Sequence, residues 1–352
     1  MKIASIIGTR PQVIKLLPIQ LELAKRNVDH VVIDTGQHFS PELSTELYTD
    51  LGLRYPNHRL SDGKSLSNSH SIQIAQMLLS IHNILKIEKP DKVIVYGDTN
   101  STLAASLVCA KEGFNFVHIE AGLRSKDRSM PEEVNRVLVD NLANVNFTPT
   151  KTAHENLLNE GIGEKSIFVG DIMLDTYLML KSKIEKVEPQ ARNLPSKYYL
   201  LTLHRPSNVD ELARLEYILE KLNDLREKIV FPAHPRTIKN LLHKQKSYEN
   251  IIVIPPQSYI SFSAILGNCS GLFTDSGGLQ KEAFFQGIPT LTIRYSTEWP
   301  ETLFSGHNIL DYNLESLRLF TEQCNKGKYI VNFEQFGSGK ARVKIIDFLL
   351  GS

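Results

Sequence analysis

The sequence predicts an α/β protein built as two successive doubly wound domains. Short apolar runs alternate with segments of helical spacing along almost the whole chain. The alternation stops once, at a charged and proline-containing stretch, and then restarts. The 352 residues also exceed what one hydrophobic core comfortably organises, and they suit two.

In the first half the apolar runs are Ile3–Ile7, Val31–Asp34, Lys92–Tyr96, Phe114–Ile119 and Asn144–Thr148. Runs that are apolar without alternation are what parallel strands covered on both faces look like. Between them, Ile14–Lys25, Ser71–Lys86, Leu103–Lys111 and Glu132–Ala143 carry helical spacing. In Ser71–Lys86 the residues Ile74, Leu78, Ile81 and Leu85 fall on one stripe. That stripe reads as core packing, with a dimer seam as the alternative. Lys183–Ser196 reads as a linker. The strands of the second half are Tyr198–Leu203, Ile229–Pro232, Ile251–Ile254, Gly271–Thr274 and Thr290–Ile293, separated by the helices Leu212–Leu225, Tyr259–Leu266 and Leu279–Gln286. The expected domains are therefore 1–184 and 185–352, the C-terminal helix being a candidate to pack back on the first domain.

Composition narrows the function classes. The hydrophobic fraction is 41%, the charged fraction 22% and the formal net charge +1. That is ordinary for a globular protein and lacks the basic excess of a nucleic-acid binder. No apolar stretch approaches the ~20 residues that span a bilayer, and the N-terminal run is too short for a signal peptide. Cys109, Cys269 and Cys324 are sparse, odd in number and without metal-ligand spacing, which argues for a reducing compartment and a cytoplasmic location.

In doubly wound sheets ligands bind outside the carboxyl ends of the strands, so the turns after each strand hold the candidates. The first strand ends in Gly8-Thr9-Arg10-Pro11-Gln12, a strand-to-helix turn that either holds an anion through Arg10 or carries a solvated arginine. It is not the glycine fingerprint of a dinucleotide site, so no nicotinamide is expected. Asp98, in Gly97-Asp98-Thr99, is a helix cap or an acid-base group. Glu120, in Glu120-Ala121-Gly122-Leu123-Arg124, has no capping role, and burial would tune it as an acid or base. Pro131-Glu132-Glu133 opens a helix, where dipole compensation explains Glu133 more readily than Glu132. Three acids at the mouth of one sheet repel one another unless they share protons with a substrate or pair with Arg124 and Arg136. In the second half, His204-Arg205 and His234-Pro235-Arg236 are basic strand tips. Thr274-Asp275-Ser276-Gly277-Gly278 runs from a strand into a helix, with two glycines that let backbone amides approach a phosphate. Glu282 follows one turn into that helix, within reach of a ribose diol.

Taken together, Gly8-Thr9-Arg10-Pro11, Gly97-Asp98-Thr99, Glu120 to Arg124, Pro131-Glu132-Glu133-x-Asn135-Arg136, His204-Arg205 and Thr274 to Gly278 resemble the non-hydrolysing UDP-N-acetylglucosamine 2-epimerases, over roughly Met1 to Leu349. The resemblance implies a GT-B-like fold with the active site in the interdomain cleft, and a homodimer. It implies Asp98, Glu120, Glu132 and His204 as catalytic residues. It implies that Arg10, His234, Ser276, Gly277, Gly278 and Glu282 hold the UDP moiety, that Phe262 packs near the uracil, that Lys15 lies near the cleft and that Arg136 supports the carboxylates. Arg205 joins His204 as a substrate-binding cation. The implied reaction removes the proton at carbon 2 while UDP leaves carbon 1, then adds both back with the proton on the other face. Such an enzyme supplies cell-surface polysaccharide synthesis.

Two positions depart from the usual family pattern. Gln12 stands where Glu is usual, and Trp299, in Thr297-Glu298-Trp299-Pro300-Glu301, stands where Arg is usual. Both resemble the epimerases of UDP-2,3-diacetamido-2,3-dideoxyglucuronic acid. Against that substrate, loss of the arginine removes a cation that a uronate would need, so UDP-GlcNAc is the expected sugar nucleotide and the uronate the alternative. Gln37-His38 keeps part of the pattern of a second, activating UDP-GlcNAc site. The rival classes are a GT-B glycosyltransferase, which would need an acceptor, and a UDP-sugar sensor, which would not need the acids. No metal or cofactor is implied. Activity should therefore persist unchanged in excess chelator, and loss of turnover that a divalent ion restores would contradict this reading.

Overall fold

The computed structural model describes residues 1–37, 41–60, 66–67, 69–187, 194–233 and 248–351. The chain divides into two compact units, Met1–Met179 together with Phe333–Ser352, and Leu180–Asn332. The boundary falls inside the helix Ile172–Ile184, ahead of the stretch read as a linker.

The first unit holds a seven-stranded parallel sheet. Its strands are β1 (Lys2–Ile7), β2 (Asp29–Asp34), β3 (His58–Arg59), β4 (Lys92–Tyr96), β5 (Phe116–Ile119), β6 (Val145–Thr148) and β7 (Ser166–Phe168), in the order 3-2-1-4-5-6-7. The helices α1 (Arg10–Lys25), α2 (Pro41–Leu51), α3 (His70–Glu88), α4 (Asn100–Glu112), α5 (Pro131–Leu142), α6 (Lys151–Asn159) and α7 (Ile172–Ile184) connect them. The five expected strands lie within a residue or two of these. Phe114 drops out because its amide closes back on Cys109 O at the end of α4 (3.0 Å). β3 and β7 are edge strands of two and three residues, too short to show a pattern. On α3 the face expected to be core is core: Met77, Ile81 and Leu85 are fully buried against β1, β4 and α4 residues, with Ile74 and Leu78 packed beside them.

The second unit repeats the plan in six parallel strands, β8 (Tyr198–Thr202), β9 (Lys228–Pro232), β10 (Ile251–Ile254), β11 (Gly271–Thr274), β12 (Thr290–Thr292) and β13 (Asn308–Leu310), in the order 10-9-8-11-12-13. Its helices are α8 (Pro206–Val209), α9 (Leu212–Asn223), α10 (Tyr259–Asn268), α11 (Gly277–Phe285), α12 (Pro300–Phe304) and α13 (Leu317–Cys324). One core lies under α9, around Leu201, Leu219, Phe231 and Phe273, and another under α10, around Leu200, Leu266 and Leu272. Cys109, Cys269 and Cys324 are free and buried, and burial pushes the Cys109 and Cys269 thiols up to about 12. They are core residues and not nucleophiles.

The last helix, α14 (Ala341–Leu350), belongs to the first unit and not to the residues 185–352 with which it is contiguous. Ile345, Ile346 and Leu349 are fully buried there, each worth up to about 1.5–3 kcal/mol of transfer free energy. Phe348 meets Phe147 edge-on at 5.5 Å, and Arg26 pairs with Asp347 at 2.6 Å. The start of α14 has no side-chain cap of its own. Asp175 of α7, itself fully buried, supplies one: its carboxylate accepts the amides of Ala341 and Arg342 and the Arg342 guanidinium, all at 3.0 Å. A negative charge at a helix N-terminus is the favourable sign. Asp175→Ala should therefore lower stability by about 2–3 kcal/mol, the range for a charge-assisted hydrogen bond left unmade. Denaturant unfolding is the measurement, and a change under about 0.5 kcal/mol, the level of a neutral surface substitution, would sink the assignment.

Candidate functional site

Strand order locates the candidate sites. In the first sheet the order reverses between β1 and β4, in the second between β8 and β11. At such a switch point neighbouring connections leave in opposite directions and open a crevice at the carboxyl edge.

In the first unit the crevice is lined by the turns after β1, β4 and β5. A Cβ on Gly8 would lie 2.0 Å from Thr35 Oγ1 and 2.2 Å from Ser101 Oγ, so only glycine lets the chain turn here. Thr9 is the N-cap of α1 and Pro11 occupies its first turn, which places Arg10 at the start of the helix, half-buried. Gln12 ties the β1 and β4 turns together. Its Oε1 accepts the Gly8 and Thr9 amides (2.8 and 3.1 Å), while its Nε2 donates to Tyr96 O (2.7 Å), Thr99 Oγ1 (3.0 Å) and Thr102 Oγ1 (2.9 Å). A carboxylate could not donate to the Tyr96 carbonyl. The Gln at this position therefore answers to the turn and makes no statement about a sugar.

Asp98 does not cap α4. Thr99 does, its hydroxyl accepting Thr102 N at 3.3 Å. The Asp98 carboxylate instead pairs with the Arg136 guanidinium. Glu120, the residue after β5, takes a left-handed backbone with φ 73°, which costs a non-glycine residue about 1–2 kcal/mol. Its amide and that of Ala121 both donate to Phe147 O at 3.1 Å, which holds the turn. The turn aims the Glu120 carboxylate at the Lys15 ammonium, and the two form a buried ion pair. The structure thus sets a cation against a carboxylate for which the sequence suggested burial. Gly97 lies beside them. A Cβ there would meet Lys15 Nζ at 3.2 Å and Glu120 Oε1 at 3.4 Å.

The other acids separate by role. Glu132 is exposed on the first turn of α5. Glu133 is buried and structural: it accepts Ser125 N (2.9 Å), Ser125 Oγ (3.0 Å), Lys126 N (2.9 Å) and Arg136 Nη1 (3.0 Å). Burial pushes its carboxyl up, and these donors outweigh it and hold it below the ordinary value. Arg136 thus bridges Glu133 and Asp98. Arg124 serves elsewhere, on Asp140 (2.7 Å) and Glu160 (2.6 Å). Asp140 also takes His118 Nδ1 (2.7 Å), and His118 Nε2 reaches Gly97 O (2.8 Å), so a buried chain supports the turn that carries Asp98. Spacing did not reveal that chain, because His118 and Asp140 lie on a strand and a helix 22 residues apart. Gln37 Oε1 accepts Ser101 N and Oγ (2.8 and 2.7 Å), and His38 lies outside the described residues.

In the second unit the turns after β8 and β11 are neighbours, since Thr202 pairs with Thr274. Ser276 is the N-cap of α11, accepting Leu279 N at 3.4 Å, and Gly277 and Gly278 form its first turn. A Cβ on Gly277 would fall 2.0 Å from Glu298 Oε1, whereas one on Gly278 would meet nothing within 4 Å. His204 and Arg205 stand at the neighbouring turn. The His204 ring is 61% exposed and its Nδ1 lies 2.8 Å from the fully buried Asp275. Arg205 Nε donates to Asp275 O at 3.0 Å. Glu282 is nearly buried on α11, and Phe262 of α10 packs partly against the core. His234 lies outside the described residues.

Trp299 is buried at 2% exposure, with Lys281 Nζ 3.9 Å above its ring. It is an interior cation–π partner of α11. Among the described residues no group of three or more His, Cys, Asp or Glu could hold a metal ion, and no helix is long and apolar enough to cross a membrane.

The two glycines yield a contrasting pair of substitutions. Gly277→Ala forces a methyl into the Glu298 carboxylate and should cost about 1–3 kcal/mol of stability. Gly278→Ala enters open space at a helix start, where alanine is the better helix former by about 1 kcal/mol, and should leave the melting temperature unchanged or raised. Thermal unfolding of both variants is the check, and equal losses would contradict the packing described here.

Comparison with known proteins agrees with this architecture. The family model for UDP-N-acetylglucosamine 2-epimerase matches residues 21–350. A UDP-N-acetylglucosamine 2-epimerase homolog of Methanococcus maripaludis is 42% identical over 359 residues, covering 99% of both chains. The UDP-2,3-diacetamido-2,3-dideoxy-D-glucuronate 2-epimerase of Pseudomonas aeruginosa is 36% identical over 357 residues, again covering 99% of both. The crystal structure of the Methanocaldococcus jannaschii UDP-GlcNAc 2-epimerase, in complex with UDP-GlcNAc and UDP, superposes with a TM-score of 0.92 at 40% identity over 100% of both chains. With two parallel-sheet α/β units of GT-B-like architecture and relatives of this identity along its whole length, the chain belongs to the UDP-N-acetylglucosamine 2-epimerase family, whose members are isomerases.

Proposed function

We propose that the protein converts UDP-GlcNAc to UDP-ManNAc without hydrolysis. The observation that carries the reading is the placement of Asp98 and Glu120 on adjacent strand ends, each set against its own cation, Arg136 and Lys15. Inverting carbon 2 requires a proton to leave one face and return to the other, and two carboxylates held apart by separate cations suit that task.

In the first step a carboxylate takes the carbon 2 proton, the electron pair forms the carbon 1–carbon 2 double bond, and the bond from carbon 1 to the diphosphate oxygen breaks. The products are 2-acetamidoglucal and UDP. In the second step a second group, protonated beforehand, gives its proton to the opposite face of carbon 2 while the UDP oxygen attacks carbon 1, and proton exchange with solvent resets both groups. Asp98, Glu120 and Glu132 are the proton-handling groups of this reading. Lys15 and Arg136 orient the first two. The departing diphosphate is received by Arg10, His204, Arg205, His234 and the amides of Ser276, Gly277 and Gly278 at the start of α11, where the helix dipole favours an anion. Glu282 takes the ribose and Phe262 the uracil. A homodimer in the cytoplasm supplying polysaccharide synthesis completes the reading.

The sugar is the open choice among relatives, since the P. aeruginosa protein is named for the diacetamido uronate. We favour UDP-GlcNAc because the M. maripaludis relative is the more similar of the two and because neither Gln12 nor Trp299 is placed to recognise a carboxylate. The decisive experiment is proton NMR of each UDP-sugar with the protein in deuterated water and no acceptor. Deuterium should enter carbon 2 of UDP-GlcNAc as UDP-ManNAc appears, and Glu120→Gln and His204→Ala should each slow this by roughly a hundredfold or more. No exchange without an acceptor would favour a glycosyltransferase, and near wild-type rates in both variants would remove these residues from the site. A preference for the diacetamido uronate above about a hundredfold, or roughly 2.7 kcal/mol, would reassign the substrate.

A further inference from the structure

The β11 turn contains a residue whose placement the reaction above does not use. Asp275 is fully buried, and among the described residues the partners of its carboxylate come from the β8 turn and α8. It accepts His204 N at 3.1 Å through both oxygens, Arg205 N at 3.0 Å and Asn208 Nδ2 at 3.2 Å, and Oδ1 lies 2.8 Å from His204 Nδ1 as an ion-pair contact. Burial pushes this carboxyl up, and the donors around it, His204 first, hold it below its ordinary value, so it stands as an acceptor. An ionised carboxylate has no proton to give. The hydrogen between it and His204 therefore belongs to Nδ1.

We propose that Asp275 is a positioning residue, which holds the His204 ring as the Nδ1–H tautomer and presents Nε2 at a set place beside the Ser276–Gly278 turn. The proposal rests on the epimerase reading for what Nε2 then meets, the diphosphate. It does not rest on that reading for the ring itself. The geometry favours it on three counts. The ring is more than half exposed, so packing alone does not fix it. Among the described residues no hydrogen bond reaches Nε2, which leaves that nitrogen for a ligand. And Asp275 is the residue directly before Ser276, so one residue sets the ring and leads the chain into the start of α11, where the diphosphate is expected. In a pair of this kind the carboxylate holds the imidazole in one tautomer and one orientation.

A purely structural Asp275 would also accept the two backbone amides, so the test must separate the roles. In Asp275→Asn the amide oxygen can still accept backbone N–H groups, but the amide nitrogen facing the ring is a donor, and Nδ1–H opposite it is a clash of donors. The ring must turn or exchange tautomer. Long-range proton–nitrogen NMR on histidine-labelled protein, at a pH where the ring is neutral, should show His204 protonated at Nδ1 in the wild type and at Nε2, or mixed, in Asp275→Asn. Turnover should fall by roughly a hundredfold with KM for UDP-GlcNAc little changed. In a His204→Ala background the second substitution should cost little more, because the ring through which it acts is gone. A wild-type ring protonated at Nε2 would overturn the proposal, as would undiminished turnover in Asp275→Asn or a full additional loss in the double variant. Should Asp275→Asn not fold, the wild-type spectrum alone decides. A wild-type protein inert toward UDP-sugars would instead defeat the epimerase reading, while the same spectrum would still decide the placement of the proton.

Discussion

Parallel strands end at a common edge, and at a switch point two neighbouring ends must be joined by something other than the sheet's own hydrogen bonds. In this protein one buried polar side chain does so in each unit. Gln12 holds the β1 and β4 turns, accepting two amides on one side and donating to the Tyr96 carbonyl on the other. Asp275 holds the β8 and β11 turns, accepting two amides and the Asn208 side chain and lying against the His204 ring. Their chemistry differs because their neighbours differ. The first must both give and accept hydrogen bonds, which takes an amide. The second meets donors only, which suits a carboxylate. Left unmade, such bonds would strand buried backbone groups at about 1–3 kcal/mol each. The rest of each site is hung on these two clamps.

Charge is arranged by the same economy. Buried carboxylates are tolerable only against cations or several donors. Glu133 meets that demand with two amides, a hydroxyl and Arg136, and so is spent on structure. Asp98 shares the same guanidinium but keeps a quarter of its side chain exposed. Glu120 is set against Lys15 by a left-handed turn that a β5 residue would not adopt without cause. A strained backbone and a buried ion pair at one residue mark a position where stability is given up for placement. The group of acids is therefore not three equivalent charges at one mouth. Asp98 and Glu120 stand against separate cations and Glu132 on an exposed helix turn, while a fourth acid, Glu133, is structural.

The two departures from the usual family pattern acquire a different meaning once their surroundings are known. Gln12 is occupied on both sides by the protein's own turns, and Trp299 lies inside the second unit under Lys281. A neutral glutamine suits a place that must donate to a carbonyl, and an aromatic ring in place of a guanidinium suits a place already supplied with a lysine ammonium.

Much of this molecule was legible in the chain itself. Apolar runs without alternation located ten of the strands, because strands buried on both faces carry their signature locally. The glycines at the Ser276–Gly278 turn, the His204-Arg205 tip and the Glu120 turn were found by their position after such runs. The edge strands β3, β7 and β13 escaped because two or three residues hold no period. Which acid is clamp and which is free, the tautomer of His204, the burial of Trp299 and the pairing of His118 with Asp140 were decided only by tertiary structure. Each depends on a partner brought from a distant part of the chain, and a hydrogen bond between residues 71 or 105 positions apart leaves no trace in spacing. Sequence determines where strands end, because burial is a property of each segment; it does not by itself determine what a side chain at that end will meet, because the answer lies on the neighbouring strand.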